Sequence, residues 1–409
     1  MEQFIKKPHT LLRLRRGPLG PYLDLYAKHL EEQGYAGTAA CLLIRVVGGF
    51  SRWLKRNEVA VPSITREVIL KYLKCRARSH RPNRSDAAAL KKMLNILYEQ
   101  GVIQKPFAVQ TPASQLADSF ASYLREERAL AASTISRYRE VVASFLSDRF
   151  LDGPIDMSAL SLRDVVDFVM REASRIGVNS SRNVTNALRS FLKFAQYRGY
   201  IALDLAASVP AVANWSQADI PRALPADQVE IVLDFCNRDT ATGSRDYAIL
   251  QLLARLGLRA CEVATLKLED IDWMVSCITV RGKGGKRTQL PLPAEVAEAI
   301  ACYLRHWRAK TRDRSVFLRR RAPIAGFEHP AAISAIVGRA IMRAGINCPR
   351  KGSHQFRHGL ATEMLRQGAS LAEIGELLGH ASPRTTQIYA KVDLASLRKL
   401  AISWPGGAS

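Results

Sequence analysis

Apolar residues recur three and four positions apart through most of residues 16–203, and few stretches there alternate like a strand. This period is typical of amphipathic helices. Beyond residue 224 the pattern changes: "SRDYAILQLLARLGL" predicts an apolar helix, and "VSCITVRG" and "RTQLPLP" predict two strands. Between the strands, "KGGK" predicts a tight turn in which Gly284 and Gly285 can adopt positive φ. The chain is therefore predicted to be mainly α with a small antiparallel β-sheet (α+β) in its last domain.

The helical half contains an internal repeat. The segments "LKKMLNILYEQGVI" (90–103) and "LRSFLKFAQYRGYI" (188–201) align without a gap, as do "YAGTAACLLIRVVGGF" (35–50) and "LAASTISRYREVVASF" (130–145). We interpret this as a duplicated helical module, residues about 16–105 and 112–203. The alternative is a pair of unrelated bundles that share a generic period, and a different helix order in the two halves would reject the duplication.

Composition marks a boundary after the repeat. Residues 205–225 are rich in small residues, contain three prolines and show no sustained period, which is typical of a linker. The chain is therefore predicted to contain an extra helical module (1–110), a second helical domain (111–204), a linker (205–223) and a last domain (224–409).

The charge balance points to the partner. Sixty Lys and Arg against 37 Asp and Glu give a formal net charge of +23, which favours a polyanion, most commonly nucleic acid. A long apolar span is missing from the sequence, so no membrane partner is expected. The seven cysteines are scattered and never spaced as C-x-x-C, so neither a disulfide framework nor a zinc site is predicted, and a cytoplasmic location is expected. We see no acidic cluster suited to paired magnesium ions.

Residues 353–368 predict the first of three short helices that carry candidate catalytic side chains. Ser353 is a predicted N-cap, and Gly368 suits a left-handed stop. His354 and Arg357 lie three positions apart and therefore share one face of this helix.

The next two helices complete the group. A Ser-x-x-Glu capping box at 370–373 begins the second helix, which ends at Gly379, so His380 projects from the turn beyond it. The third begins with Ser-Pro at 382–383 and carries Tyr389 near its middle, about two turns in. This order allows two histidines, an arginine and a tyrosine to converge.

With these residues the sequence resembles the tyrosine recombinase (phage integrase) family. "HQFRH" and "LLGHASPRTTQIY" match two of its motifs at the family's spacing, and "LGLRACEVATLKLEDID" and "VRGKGGKRTQLPL" match its first arginine box and its β-hairpin. The resemblance covers residues about 112–400 and implies that 111–204 is a core-binding (SAM-like) domain. It departs slightly at Phe356 and Gly359. The six implied catalytic residues are Arg259, Lys283, His354, Arg357, His380 and Tyr389.

The resemblance implies that DNA strands are cut and rejoined through a 3′-phosphotyrosine formed by Tyr389. The guanidinium groups of Arg259 and Arg357 suit a clamp on the non-bridging phosphate oxygens. Glu262 either orients Arg259 or only forms a local helix pair. Because the bond energy is kept in the phosphotyrosyl link, no ATP, metal or other cofactor is expected.

Three further residues carry protons or hydrogen bonds in this scheme. His354 is expected to help move the phenol proton, and His380 to donate to a phosphoryl oxygen. By analogy with the family, Lys283 on the hairpin supplies a proton to the departing 5′ oxygen.

Double-stranded DNA is the predicted partner, held by a clamp of two domains whose binding weakens steeply with salt. Basic and amide side chains in the second helical domain and beside the hairpin are candidates for phosphate and base contacts. They are Arg137, Arg139, Arg182, Asn183, Asn186, Arg189 and Lys193, and Arg281, Lys286 and Arg287.

The segment after Tyr389 carries Val392, Leu394, Leu397 and Leu400 at helical spacing. In the family such a tail commonly docks on a neighbouring subunit, which predicts a tetramer on paired sites. The alternative is a helix that packs on its own domain. The predicted function is site-specific DNA recombination in the integration or excision of a mobile element. Two alternatives are relaxation of DNA like a type IB topoisomerase, and a catalytically idle DNA-binding accessory protein. The role of residues 1–110 and a need for other recombinases of the same element stay open.

Overall fold

The structure is a computed structural model whose described residues are 1–81, 83–104, 111–151, 153–212, 223–282, 285, 287–348, 351–380 and 382–392. Contacts divide the chain into two compact units, Met1–Lys105 with Ile220–Ser409, and Pro106–Asp219. The described residues are mainly helical with a three-stranded antiparallel sheet in the last domain, so the predicted fold class is confirmed. Within them, no helix has the length and apolar character needed to cross a membrane.

The N-terminal module packs its helices around a core of its own. Its helices are α1 (Pro8–Arg15), α2 (Gly20–Glu32), α3 (Gly37–Arg56), α4 (Arg66–Ala77) and α5 (Arg84–Glu99). The Thr65 hydroxyl accepts a hydrogen bond from the Val68 N–H and caps α4. Gly34 (φ +73°) and Gly101 (φ +68°) end α2 and α5 in the left-handed conformation. The chain can therefore reverse direction after each of these helices.

The second unit contains a four-helix domain, α6 (Pro112–Glu126), α7 (Ala132–Phe150), α8 (Leu162–Arg175) and α9 (Val178–Tyr197). A capping box between Ser161 and Asp164 begins α8. The core is aromatic, with the Phe120 ring centroid 5.5 Å from that of Phe191 and 5.4 Å from that of Phe194. These rings join α6 to α9.

The predicted linker begins later than its composition indicates. Leu205, Ala206 and Val209 are buried in the core of the second unit. Small apolar residues can serve either as flexible chain or as a packed edge of a domain, and here the first of them pack. Residues 213–222 lie outside the described part of the chain.

The last domain surrounds the sheet with helices. Its elements are α10 (Ala226–Asp234), α11 (Ala241–Arg255), α12 (Ala260–Thr265), β1 (Ile271–Asp272), β2 (Cys277–Arg281), β3 (Arg287–Pro291), α13 (Ala294–Cys302), α14 (Ala331–Arg343), α15 (His354–Arg366), α16 (Leu371–Leu377) and α17 (Pro383–Thr386). Helix α11 is buried along most of its length and packs against α13 and α15. The sheet order is β1-β2-β3, with Ile278 opposite Leu290 and Arg281 opposite Arg287.

The predicted helix boundaries around the candidate site are partly confirmed. Gly368 (φ +94°) and Gly379 (φ +58°) follow α15 and α16 as expected, and the capping box at 370–373 is present. The predictions for Ser353 and Ser382 are wrong in one respect: each precedes its helix, but neither side chain makes a capping hydrogen bond within the described residues. Ser353 Oγ instead lies 3.4 Å from Ser334 Oγ.

Candidate active site

Arg357 lies in the first turn of α15 with its side chain almost fully buried. Its Nη1 donates to the Gly257 carbonyl oxygen at 2.6 Å, and its Nη2 donates to the Leu378 carbonyl oxygen. Gly257 has φ +58°, and an added Cβ would lie 2.7 Å from a Leu378 methyl carbon, so only glycine suits this position. Burial, and then the charge of Arg259, lowers the pKa of Arg357 to about 10. Arg357 is therefore a fixed cation at neutral pH.

Arg259 precedes α12 and is held by Glu262. Its Nη1 donates to Glu262 Oε1 at 2.8 Å, and its backbone N–H donates to Glu262 Oε2 at 2.7 Å. Arg259 Nη2 lies 3.4 Å from the Gly379 carbonyl oxygen, next to the turn that carries His380. The Glu262 side chain is 4% exposed. A single buried carboxylate thus accepts from both the backbone and the guanidinium of Arg259, a geometry suited to orienting this arginine.

His380 is fixed from two sides in the turn after α16. Its backbone N–H donates to the Gly375 carbonyl oxygen at 2.9 Å, and its Nδ1 lies 2.8 Å from Thr386 Oγ1. Burial, then Arg357 and Arg259, lowers the pKa of His380 to about 4. The ring is neutral at pH 7, and its Nε2 makes no hydrogen bond within the described residues. That nitrogen is free to interact with a ligand.

Tyr389 is buried, with 1% of its surface exposed. The prediction of a position in the middle of an α-helix is wrong, because α17 lasts one turn and Tyr389 lies in the 3₁₀-helix Gln387–Val392 that follows. Its ring packs against a small apolar cluster that includes Ala361, Ile374 and Leu378. Burial raises the pKa of Tyr389, and the charges of Arg357 and Arg259 oppose this rise.

His358 contacts the tyrosine hydroxyl and was not among the predicted site residues. Its Nδ1 lies 3.0 Å from Tyr389 Oη, and the two ring centroids are 5.6 Å apart. Burial, then His354 and Arg357, holds the pKa of His358 below its usual value. A neutral ring can accept the phenol proton at Nδ1. The available signal was its position four residues after His354, which places both rings on one face of α15.

His354 begins α15 and stands beside His358, with 6.3 Å between the ring centroids. Desolvation, then Arg357 and Arg259, lowers the pKa of His354. The structure thus brings together five of the six predicted catalytic residues. Lys283 lies outside the described residues, as do Gly284 and Lys286.

The predicted DNA contacts near the hairpin occupy the last pair of β2 and β3. Arg281 Nη2 forms an ion pair with Asp270 Oδ1 at 2.9 Å, and Arg287 is exposed. The charge of Arg281 is thus partly compensated, whereas that of Arg287 is presented to solvent.

The candidates in the second unit have different surroundings. Arg137, Asn186 and Lys193 are exposed on α7 and α9, while Asn183 and Arg182 are half-buried. Arg139 forms an ion pair with Asp118. Arg189 Nη2 donates to the carbonyl oxygens of Val209 and Pro210 at 2.8 and 3.0 Å. Arg189 therefore binds the C-terminal segment of its own domain to α9.

Comparison with known proteins decides the family. Residues 222–395 match the Phage integrase family, and residues 117–199 match the Phage integrase N-terminal SAM-like domain. Over 413 aligned positions the chain is 48% identical to integrase/recombinase y4rA of Sinorhizobium fredii, and the match covers all of both chains. The chain belongs to the tyrosine recombinase (phage integrase) family. It is a site-specific recombinase with an additional N-terminal helical module.

A second relative and two solved structures agree with this assignment. Tyrosine recombinase XerC of Oceanobacillus iheyensis is 31% identical over 297 residues, which cover 69% of this recombinase and 93% of XerC. XerH in a post-cleavage complex with palindromic difH has a TM-score of 0.57 at 18% identity and covers 73% of this chain and 98% of its own. Lambda integrase (75–356) on a COC′ core site has a TM-score of 0.52 at 17% identity and covers 67% and 94%. At these identities the two structures establish the shared fold.

Proposed function

We propose that this recombinase cleaves duplex DNA by attack of the Tyr389 hydroxyl on a phosphodiester, which leaves a 3′-phosphotyrosine. The observation that carries the proposal is the 3.0 Å contact between Tyr389 Oη and His358 Nδ1, within electrostatic range of two arginines. A phenol needs an acceptor for its proton before it can attack, and a neutral imidazole is suited to this at pH 7. The XerH and lambda integrase structures that share this fold are complexes with DNA, which supports DNA as the substrate.

The two arginines stabilise the charge that attack creates. In the pentacovalent transition state negative charge grows on the non-bridging oxygens, and guanidinium groups that are already oriented need no reorganisation. The carboxylate of Glu262 orients Arg259, and two backbone carbonyls orient Arg357. The free Nε2 of His380 can donate to the same phosphate when Nδ1 accepts from Thr386.

The bonds and protons of the step balance within the chain and the DNA. The Tyr389 oxygen forms a bond to phosphorus while the bond to the 5′ oxygen breaks, and the phenol proton passes to His358. The 5′ oxygen leaves as a hydroxyl after taking a proton, for which we propose Lys283 as the donor. Rejoining reverses the step with a 5′ hydroxyl as the nucleophile.

We propose the biological role and the oligomeric state from what is general in the family. Recombination of a mobile element needs two paired sites, so we propose a tetramer in which the segment after Asp393 docks on a neighbouring subunit. A type IB topoisomerase or an idle accessory protein would need no such exchange.

Trapping on nicked duplexes tests the proposed chemistry. In random-sequence duplexes with a nick next to the scissile phosphate, the short fragment that carries the 5′ hydroxyl diffuses away after cleavage. Rejoining then has no nucleophile, so the covalent complex should accumulate and survive SDS. We expect the adduct to form with EDTA and without ATP, and peptide mapping to locate the DNA on Tyr389. Binding without any adduct would indicate an accessory protein, and plasmid relaxation without strand exchange would indicate a topoisomerase.

Replacing His358 tests the proton acceptor. His358→Asn should lower the single-turnover cleavage rate by roughly 10²-fold, since general-base groups contribute about 10²- to 10⁴-fold. DNA affinity should stay unchanged. In the parent, the cleavage rate should rise with pH below pH 6.5 as His358 loses its proton, because burial lowers the pKa of this ring. That rise should disappear in the variant. The matched control is His306→Asn, because His306 is exposed. Cleavage by the His358 variant at the parental rate across the whole pH range would contradict this role.

A further inference from the structure

Positive charge is concentrated in the N-terminal module rather than in the SAM-like domain. Residues 1–104 contain 19 Lys and Arg against 8 Asp and Glu, whereas residues 111–212 contain 12 against 11. The module outside the usual two-domain pattern therefore has a net charge of +11, and the SAM-like domain has +1. A field of this strength attracts a polyanion over distances of about 8 Å in physiological salt.

Ion pairing increases this difference. Arginines that pair with Asp or Glu within the SAM-like domain are Arg139, Arg149, Arg163, Arg171, Arg175 and Arg198. In residues 1–81 and 83–104, the paired arginines are Arg15, with Glu2 and Asp24, and Arg76, with Asp86. The other arginines whose side chains are described in these ranges have no acidic partner within ion-pair distance. Their charge is thus available to a ligand.

Four of these free arginines, Arg13, Arg45, Arg52 and Arg81, line a groove of about 490 Å³ between α1, α3 and the α4–α5 connection. The groove is also lined by His80 and by the ion pair of Arg76 with Asp86. The side chains of the four free arginines are exposed. Because these arginines come from three separate elements, they can contact several phosphates at once, which suits a chain of phosphates better than a small anion.

The module repeats the helical plan of the SAM-like domain. Helices α2 to α5 follow the same order as α6 to α9, and a 3₁₀ turn precedes the third helix in both, at Val61–Ser63 and Met157–Ala159. Buried residues recur at matching positions, since Leu23, Tyr26, Ala27 and Leu30 each lie 94 residues before a buried counterpart in α6. Those counterparts are Ala117, Phe120, Ala121 and Leu124.

An aromatic pair between the second and third helices also recurs. The Phe50 and Tyr72 ring centroids are 5.0 Å apart, and those of Phe145 and Phe168 are 5.2 Å apart. The same helix order and the same packed pair support the duplication predicted from the repeat. A generic bundle would have no reason to reproduce both.

We propose that residues 1–104 form a second DNA-binding domain, a copy of the SAM-like fold whose basic groove binds the phosphate backbone of duplex DNA. The repeated fold gives the module the scaffold of a DNA-binding domain, and the unpaired arginines give it a stronger field than its counterpart. The binding is independent of the chemistry proposed for Tyr389, because it needs no cleaved phosphate.

The test compares two triple variants of the full chain on a random-sequence duplex. The groove variant is Arg13→Gln, Arg45→Gln and Arg52→Gln. The control variant, Arg16→Gln, Arg56→Gln and Arg66→Gln, removes the same charge at exposed arginines that do not line the groove. Binding is measured by fluorescence anisotropy between 50 and 300 mM salt, and thermal unfolding of each variant reports whether the module stays folded.

We expect the groove variant to bind at least tenfold more weakly, with a slope of log affinity against log salt that is shallower by about 2 to 3, since each phosphate contact contributes roughly 0.9. The control should change the slope by less than about 1, the contribution of a single phosphate contact. Equal losses in the two folded variants would overturn the proposal. So would groove-dependent binding to phosphatidylserine vesicles without groove-dependent binding to DNA, because the groove would then be a membrane site.

Discussion

Tyr389→Phe is expected to form no covalent DNA adduct and no recombinant product. The substitution removes one oxygen, the atom proposed to bond to phosphorus. The ring still fills the apolar cluster of Ala361, Ile374 and Leu378. Only the hydrogen bond to His358 is lost, which costs about 1 kcal/mol of unfolding free energy. DNA affinity and salt dependence should equal those of the parent.

Tyr303→Phe is the matched control. Tyr303 is also buried in the last domain, and its hydroxyl also makes one hydrogen bond, accepted from the Leu318 N–H at 3.3 Å. Both variants should therefore lose similar stability in thermal unfolding, while Tyr303→Phe retains cleavage. An SDS-resistant adduct on the Tyr389 variant, or its absence in both folded variants, would contradict the assignment of the nucleophile.

Most helices of the fold could be predicted from the sequence, because residues close together in the chain determine where a helix forms and where it ends. The helical period of residues 16–203 reports a buried face that each helix presents to its own domain. The stops at Gly368 and Gly379 and the capping box at 370–373 are also local, since each depends on a few adjacent residues. Strand β1 has only two residues and gives no alternation, so no sequence pattern could reveal it.

The sequence predicts which residues belong to the candidate site better than it predicts which of their side chains touch each other. Arg357 and His380 belong to motifs of fixed spacing, so their identities follow from the sequence. The partner of Tyr389 Oη does not, because His358 lies 31 residues away and its approach depends on how α15 packs against the segment after α17. Sequence reasoning gave the proton-accepting role to His354, whose position in the motif was known. Distance between side chains, rather than motif order, favours His358.

Gly359, near the site, is a second feature that depends on a contact between distant segments. Gly359 departs from the small polar residue that the family often carries, and the sequence offers no reason for this. In the structure an added Cβ would lie 2.7 Å from the Leu224 carbonyl oxygen, so the segment before α10 passes directly over α15. The requirement for glycine arises from a contact between segments more than a hundred residues apart, which no local pattern contains.

Arg357→Lys is expected to lower the cleavage rate by roughly 10³-fold, since removing one charged or dipolar donor to a developing oxyanion costs about 10²- to 10³-fold, and here the fork is lost as well. Lysine keeps the charge but cannot donate to the Gly257 and Leu378 carbonyls together while also reaching a phosphate. The turn that carries His380 should then lose its tie to the segment before α12. Because at least one buried carbonyl is left without a donor, unfolding free energy should fall by about 1 to 3 kcal/mol.

Arg366→Lys in the last turn of α15 is the matched control for this substitution. Its side chain is 67% exposed and lies 3.9 Å from Glu363, an exposed pair of little energetic weight. Single-turnover cleavage at low temperature, where both variants are folded, separates catalysis from stability. If Arg357→Lys cleaves as fast as Arg366→Lys there, the charge at position 357 is sufficient and the bidentate clamp is unnecessary. If both rate and stability fall as expected, Arg357 has two roles: it joins three segments of the last domain, and it holds the phosphate in line with Tyr389.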